Sequence, residues 1–490
     1  MNSNFKRATA LFCLISMFAA TACGSASSGD DETTPSGTDE VTTAAETTAH
    51  SPLYDMEKKD YGGREFRISV SSKYEDEMWV EEETGDVCND AVYERNAKVE
   101  EYLGVKIVPV VTQLVGNGDH AGEVQRVLLA GEDRYDLTAI YTFLAARIGL
   151  DGIFYNWKEI GGVDFSKDWW IQSANDAFSI GGNQYVAVGD LSTTTLLLSF
   201  AVYFNQRVAA DYQLPNLYET VLDGKWTIDK LLDYTKDIYQ DLNGNGSVDQ
   251  GDLLSFAADR VTNLDAYPSA FKIPLTAKDN DGFPKCALNV DRMQTAVEKV
   301  YSLYYERSSY ISGGDGSEIT EFANGNIAFL TTWINNSFSA FRSMKDDYGI
   351  LPYPKFDEEQ DAYYSNAMDN YSLLSVPKTV KPEDTEFVGT VTEALTRENH
   401  YSVIPAYYDV ALTAKYARDE QSVAMLDIIM NGRQYDFSIL HANMMASLPY
   451  LFRNFIASQD TNVASKYASI KSSIDEGLKQ VAEAYEDMAS

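Results

Sequence analysis

From residue 61 the chain alternates strand-like and helix-like segments, and this alternation constrains the fold more than any other feature. GREFRISVS (63–71) alternates apolar and polar residues after a Gly-Gly turn, as a strand does. NDAVYERNAKVEEYLG (89–104) sets Val92, Val99 and Leu103 among charges and stops at Gly104, where a helix can end in a left-handed residue at little cost. VKIVPVV (105–111) is β-branched and strand-like, and VQRVLLAGEDRYDLTAIYTF (124–143) reads as helix, polar turn and second strand. Strand, helix, strand, helix, strand implies parallel pairing with covered sheet faces, so the expected class is α/β.

The pattern recurs downstream. WTIDKLLDYTKDIY (226–239) offers Thr227 as a helix cap, and VDRMQTAVEKVYSLYYE (290–306) puts Met293, Ala296, Val297, Val300 and Tyr304 on one face. Ile470, Ile474, Leu478, Val481 and Tyr485 form one stripe, so the chain is expected to end in a docked helix. At 490 residues the chain exceeds the size at which a single core stops growing, roughly 250–300 residues, and more than one domain is expected.

Charge excludes one large class of partners. With 74 Asp plus Glu against 39 Lys plus Arg, a net charge of −35 and no basic run, the chain lacks what nucleic acid binding requires. His50, His120, His400 and His441 have no metal-ligand spacing, and no nucleophile elbow, phosphate loop or dinucleotide fingerprint occurs. The abundance of acids makes any proposed glycosidase pair uninformative, and no enzyme is expected.

The amino terminus sets the compartment. Lys6 and Arg7 precede an apolar run, Ala8 to Ala20, that is too short to cross a bilayer but suits a secretory signal. Ala20, Thr21 and Ala22 before Cys23 resemble the lipobox of bacterial lipoproteins. The resemblance implies that residues 1–22 are a signal peptide and that Cys23 becomes the lipidated terminus. Residues 24–49 hold six acids, no Lys or Arg, and mostly Ser, Thr, Gly and Ala, so 23–57 is expected to be a disordered tether. The folded body would then stand on the extracellular face of a bacterial membrane, held by lipid. Cys88 and Cys286 remain, and spacing alone leaves open whether they pair.

DLNGNGSVDQGD (241–252) is the sharpest chemical motif. Asp241, Asn243 and Asn245 stand at positions one, three and five of a twelve-residue loop, Gly246 at six, Ser247 at seven, Asp249 at nine and Asp252 at twelve. That is the oxygen spacing of an EF-hand-type calcium loop, with Ser247 offering its backbone carbonyl and Gly246 the sharp turn. Asp252 replaces the usual Glu, so its shorter arm must approach closer. A structural calcium ion is expected, bracing the loop ahead of LLSFAAD (253–259); an Asn/Gly-rich turn with incidental acids is the alternative. A dockerin is disfavoured, because dockerins carry two such loops.

The order of several segments resembles the extracellular solute-binding lipoproteins of bacterial ABC importers, in the carbohydrate-binding class that includes maltose-binding protein. The segments are GREFRIS, AGEDRYDLTAIY, GGNQYVAVGD, AVYFNQRVAADYQL, GKWTIDKLLDYTKDI, FANGNIAFLTTW, YGILPYPK and NYSLLSVPKTVKPEDTEFVGTVTEAL, spanning most of 61–455. The resemblance implies a two-lobed, periplasmic-binding-protein-like α/β fold with a ligand cleft between the lobes and about three crossings. These fall near Val188–Leu191, Gly349–Leu351 and Thr396–Ser402. Lobe 1 would comprise 58–189 plus 352–398, and lobe 2 would comprise 190–351 plus 399–490.

The same resemblance places candidate ligand contacts. Trp333 follows GNIAFLTT where the family stacks a Trp on sugar, with a core Trp as the alternative. Tyr141 follows the DLTAI strand, Asp190 closes YVAVGD, and Asp259 with Arg260 follows LLSFAAD. Trp169 and Trp170 could plate the cleft or wedge the lobes, with Trp170 kept as the cleft candidate. Asp369, Asn370 and Tyr371 precede a lobe 1 strand, and Tyr371 is retained. Ser72, Lys73, Tyr74 and Glu75 stand where the family has a polar pair and carry no assigned role. Aromatic plates with a few hydrogen-bonding groups suit sugar, which has apolar C–H faces and hydroxyl edges. Cys88 would lie in lobe 1 and Cys286 in lobe 2, where a bridge would lock closure, so both are expected to be free thiols.

The function this implies is capture of a carbohydrate, an oligosaccharide, for delivery to ABC permease subunits by a lipid-anchored monomer. A solute-binding protein for a peptide or polyol, a surface glycan-binding adhesin without a transporter, and a secreted hydrolase are the competing readings.

Overall fold

The computed structural model describes residues 52–113, 116, 118–413 and 420–489. The signal segment, Cys23 and most of the tether lie outside the described residues. The folded body begins ahead of residue 57: Pro52–Asp55 makes a short 3-10 turn, Leu53 is buried, and the Tyr102 hydroxyl donates to the Met56 carbonyl at 2.7 Å.

The opening alternation builds the first sheet. Strand Arg64–Ser71 pairs in parallel with Val105–Thr112, from Arg64 opposite Val105 to Ser71 opposite Thr112, and in parallel with Leu137–Tyr141 on its other side. Ser372–Ser375 returns much later and adds antiparallel to Leu137–Tyr141, giving a four-stranded sheet. Helix Val87–Leu103 starts where the Asp86 side chain accepts the Cys88 and Asn89 amides. It stops at Gly104, whose φ is 60° and whose missing Cβ would lie 2.1 Å from Asp60 Oδ1. Gly is therefore required there both by conformation and by space.

The second sheet runs in the order Tyr348–Leu351, Phe200–Asn205, Ile327–Trp333, Leu253–Asp259 and Tyr239–Gln240, with Ser309–Ser312 also on Leu253–Asp259. Every residue of Phe200–Asn205 and of Leu253–Asp259 is buried, as strands covered on both faces must be. Thr227 caps helix Ile228–Thr235 by accepting the Lys230 amide, as the sequence suggests. Helix Val463–Ala489 buries Ile474, Leu478, Val481 and Tyr485 and closes the chain. Its fit is tight: a Cβ on Gly477 would fall 1.8 Å from the Met444 carbonyl oxygen.

Two of the three stretches predicted to join the lobes, Val188–Leu191 and Thr396–Ser402, are bonded to each other. Gly189 packs against Trp170 and Thr396, where a Cβ would meet atoms at 2.8 and 2.7 Å. Asn399 donates to the Asp190 carbonyl at 2.6 Å, and His400 Nδ1 lies 2.5 Å from Asp190 Oδ2. Residues after Leu351 stay beside the second sheet before reaching Ser372. The Lys355 amide donates to the Trp226 carbonyl at 3.0 Å, and the Phe200 amide donates to the Asn366 carbonyl at 3.1 Å. Cys88 and Cys286 are free thiols; Cys286 Sγ sits 3.3 Å from the Tyr467 hydroxyl. Among the described residues no helix is long and apolar enough to cross a membrane.

Candidate functional site

The site begins at the end of strand Leu253–Asp259. Asp259 Oδ1 accepts the amides of Val261, Thr262 and Asn263 at 2.8–3.0 Å, and Oδ2 accepts the Thr262 hydroxyl at 2.7 Å. This turn aims the following residues, Asn263 to Asp265, at the segment that precedes Ser372. Asn366 Nδ2 then donates to the Asp265 carbonyl at 3.2 Å. Together with a third stretch around 434–450 these segments enclose a cavity of about 330 Å³. Four tyrosines line it, Tyr364, Tyr371, Tyr435 and Tyr450, together with Asp265, Asp369, Asp436, Asn366, Gln434 and Lys272. An adjoining cavity of about 270 Å³ shares Thr276, Tyr435 and Asp436 as a wall.

Hydrogen bonds fix this wall. Asp436 Oδ2 accepts the Leu275 and Thr276 amides at 2.9 Å each, which ties the 434–450 stretch to the 265–276 stretch. The Tyr450 hydroxyl donates to Asp369 Oδ2. Arg453 lies 3.2 Å from Asp265 Oδ2 and its guanidinium stacks 4.0 Å above the Tyr450 ring. The Tyr371 and Tyr435 rings meet edge to face at 5.7 Å. Burial pushes the Asp265 carboxyl well above the usual carboxylate range; Arg453 opposes the shift, and Asp369 and Asp259 add to it. The Asp265 side chain is 17% exposed overall, yet its Oδ1 is shielded and without a hydrogen-bond partner.

Of the candidates read from sequence, Tyr371 lines the cavity, and Asp369, a weaker one, lines it too. Tyr141 is buried at the strand end beside it, opposite Ser372 in register, with its ring 5.3 Å from Tyr74. Burial raises the Tyr74 phenol, with Tyr141, Glu77 and Asp369 adding. Trp333 ends its strand 6.5 Å from the Phe200 ring and packs against the core, its indole nitrogen shielded and without a hydrogen-bond partner; it is not part of the cavity wall. Asp259 builds the turn described above, and Arg260 is exposed, its amide on the Ser312 carbonyl at 3.3 Å.

Two candidates have structural occupations. Trp170 is 1% exposed and donates its indole N–H to Glu393 Oε2 at 2.8 Å, while Trp169 donates to Glu393 Oε1 at the same distance. The pair packs in the core over the first sheet because one carboxylate satisfies both indoles. Asp190 is held by His400, which Asp190 keeps protonated to higher pH than usual. The sequence reading missed Asp265, Asn366, Tyr435 and Tyr450, which sit in short 3-10 turns and irregular segments with no periodic signal.

The 241–252 loop folds inward on its side chains. Asp241 accepts the Gly244 and Gly246 amides at 2.6 and 2.9 Å; Asn243 and Asn245 turn their amides onto Asp249 at 2.8 and 2.7 Å. Asp252 is buried and accepts the Leu242 amide at 3.0 Å. Gly244, Gly246 and Gly251 all have positive φ. Among the described residues no group of three or more His, Cys, Asp or Glu is gathered around a point that could hold a metal. The loop has the turn a calcium site needs, but its amides, not its acids, converge on Asp249.

No protein-family model and no curated protein matches the sequence. The fold does match solved structures. The GacH receptor of Streptomyces glaucescens GLA.O, solved unliganded and with acarbose, aligns with a TM-score of 0.51 at 12% identity, covering 87% of this chain and 98% of the receptor. An ABC transporter solute-binding protein from Agrobacterium radiobacter K84, in complex with ribitol, gives 0.50 at 12% over 87% and 100%. UgpB from Mycobacterium tuberculosis, in complex with glycerophosphocholine, gives 0.51 at 12% over 88% and 100%. The chain therefore has the two-lobed fold of ABC transporter solute-binding proteins, and it has that fold over nearly the whole length of each.

Proposed function

We propose that this is a solute-binding protein that captures a carbohydrate, an oligosaccharide, in the tyrosine-lined cavity and delivers it to the permease subunits of an ABC transporter, with no catalytic step. The observation that carries the reading is the cavity itself. Its size is at the lower end of the range typical of small-molecule sites, and its wall combines four tyrosines with carboxylate and amide groups. Apolar ring faces and hydroxyl edges need both kinds of wall. The adjoining cavity gives a longer ligand somewhere to extend. The lipobox-like segment supports anchoring through Cys23 to the outer face of the membrane, and the protein is proposed to act as a monomer.

A thermal-shift screen against mono- and oligosaccharides tests this. A ligand at 100 times its dissociation constant adds about 2.7 kcal/mol of stability, a shift that is readily measured. At least one sugar should give it, and Tyr450→Ala should remove most of it. An unchanged shift in that variant moves the site elsewhere; products cleaved from the sugar would make the protein a hydrolase.

We also propose that the 241–252 loop takes a structural calcium ion. The support is the twelve-residue oxygen spacing and the inward turn of Asp241, Asn243, Asn245, Asp249 and Asp252, with Ser247 able to give its carbonyl. Calcium should raise the thermal midpoint of the wild type and not that of Asp241→Ala; no rise in the wild type ends the proposal.

A further inference from the structure

The cavity wall holds hydrogen-bond acceptors that have no partner in the protein. Asp265 Oδ1 and Asn366 Oδ1 are both shielded from solvent and have no hydrogen-bond partner. They are neighbours, because the Asn366 amide donates to the Asp265 carbonyl at 3.2 Å. Asp369 lies close enough to Asp265 to disfavour its ionisation, and accepts the Tyr450 hydroxyl. Asp436, the third carboxylate, is committed to the backbone: it accepts the Leu275 and Thr276 amides and the Thr276 and Ser438 hydroxyls.

Two nearby cations, Arg453 and Lys272, are committed as well. Arg453 is shared among Asp265 Oδ2 at 3.2 Å, the Val261 carbonyl at 3.1 Å and the Tyr450 ring. Lys272 holds both oxygens of Asp361 at 2.9 Å and lies 5.3 Å above the Tyr364 ring. Neither is bonded to Asp369. Arg453 is the ion-pair partner of Asp265, whereas among the described residues Asp369 has no cation paired with it and is held by the Tyr450 hydroxyl.

A sugar hydroxyl supplies one donor and brings lone pairs that need donors in turn, whereas an ammonium supplies three donors and no acceptor. A partly desolvated carboxylate is stabilised by a paired cation, and aromatic faces attract cations. We infer that the cavity selects ligands carrying a protonated amine, which among carbohydrates means amino sugars, with Asp265, Asp369 and Asn366 receiving the ammonium. This rests on the carbohydrate reading of the same cavity and narrows it.

The test is calorimetric titration of the full folded protein with matched pairs: glucose and glucosamine, galactose and galactosamine, cellobiose and the deacetylated chitin disaccharide. Choline serves as a cation that is not a sugar. At least one amino sugar should bind about tenfold or more tightly than its neutral partner, a difference of about 1.4 kcal/mol. Asp369→Asn should bring that preference close to unity, and so should Asp265→Asn. If the latter fails to fold because Arg453 loses its partner, Asp369→Asn decides alone. Neutral sugars binding as tightly as amino sugars overturn the inference and leave the carbohydrate function intact, and so does a preference that survives Asp369→Asn. Choline binding without any sugar overturns the carbohydrate function and retains the cation preference; binding by none of the probes overturns both.

Discussion

Arg95→Ala should lower the free energy of unfolding by about 3–5 kcal/mol, the usual cost of removing one partner from a buried charged network. Arg95 is fully buried, and burial pulls its guanidinium down to about 10, with Glu77, Tyr407 and Glu398 opposing. Its five N–H donors all have acceptors. Nε and Nη2 reach Asn96 Oδ1 at 3.0 and 2.9 Å, Nη2 the Met78 carbonyl at 2.6 Å, and Nη1 the Glu77 carbonyl and Asn399 Oδ1 at 3.1 and 2.5 Å. The truncation strands two carbonyls and two side-chain oxygens in a dry site. It also exposes the neighbouring Glu77, a buried carboxylate that accepts the Thr194 amide and hydroxyl and the Ser372 hydroxyl at 2.7–2.8 Å, to an unbalanced charge. Arg95→Lys keeps the charge but offers three donors in place of five, so it should recover only part of the loss. Urea unfolding with an unchanged slope is the measurement. A loss below about 1 kcal/mol for Arg95→Ala, the value of an ordinary surface substitution, defeats the argument.

Arg95 also illustrates what could be read in advance. Helix Val87–Leu103 was visible as a helix from its apolar spacing and from Gly104, but its start at the Asp86 cap was not, because the cap lies outside the apolar period. The parallel pairs of Arg64–Ser71 followed from the alternation of elements. The antiparallel addition of Ser372–Ser375 could not follow, since its neighbour in the sheet lies more than two hundred residues earlier. Long-range side-chain pairs were hidden for the same reason. His400 finds Asp190 across 210 residues, and two adjacent tryptophans find Glu393 across 224 and 223. Local pattern cannot tell such a buried indole from a sugar plate, because both are large, apolar and placed at the end of a turn. The cavity was the least legible part. Tyr371 came from the resemblance, whereas Asp265, Asn366, Tyr435 and Tyr450 lie on segments that acquire meaning only when the turn at Asp259 and the Asp436 hydrogen bonds bring them together.

His120→Gln and His441→Gln should each gain about 2–3 kcal/mol of stability relative to the wild type when the pH is taken from about 7.5 to about 4.5. Both rings are buried, and burial lowers His120 from 6.5 to about 4 and His441 from 6.5 to about 3. Ser69 holds His120 at 2.9 Å, and the Tyr485 hydroxyl holds His441 at 3.1 Å, docking the last helix. With the folded values depressed, the unfolded chain binds the protons first, so stability falls as pH drops through 6.5 and goes on falling until the folded value is reached. Other groups act in the opposite direction. Burial raises Glu77, Glu393 and Asp265, so the folded state binds their protons first and gains stability on acidification. His400, raised by Asp190, contributes stability that is fully present below 6.5 and is lost as pH rises through its folded value, so it changes only in the part of the window above 6.5. Because these terms are common to wild type and variants, the difference between them isolates the two histidines, and glutamine keeps a hydrogen bond to Ser69 or Tyr485 without titrating. Denaturant unfolding at the two pH values reads the difference directly; a variant-minus-wild-type gap that stays constant with pH means that the buried rings already take up protons in the folded protein.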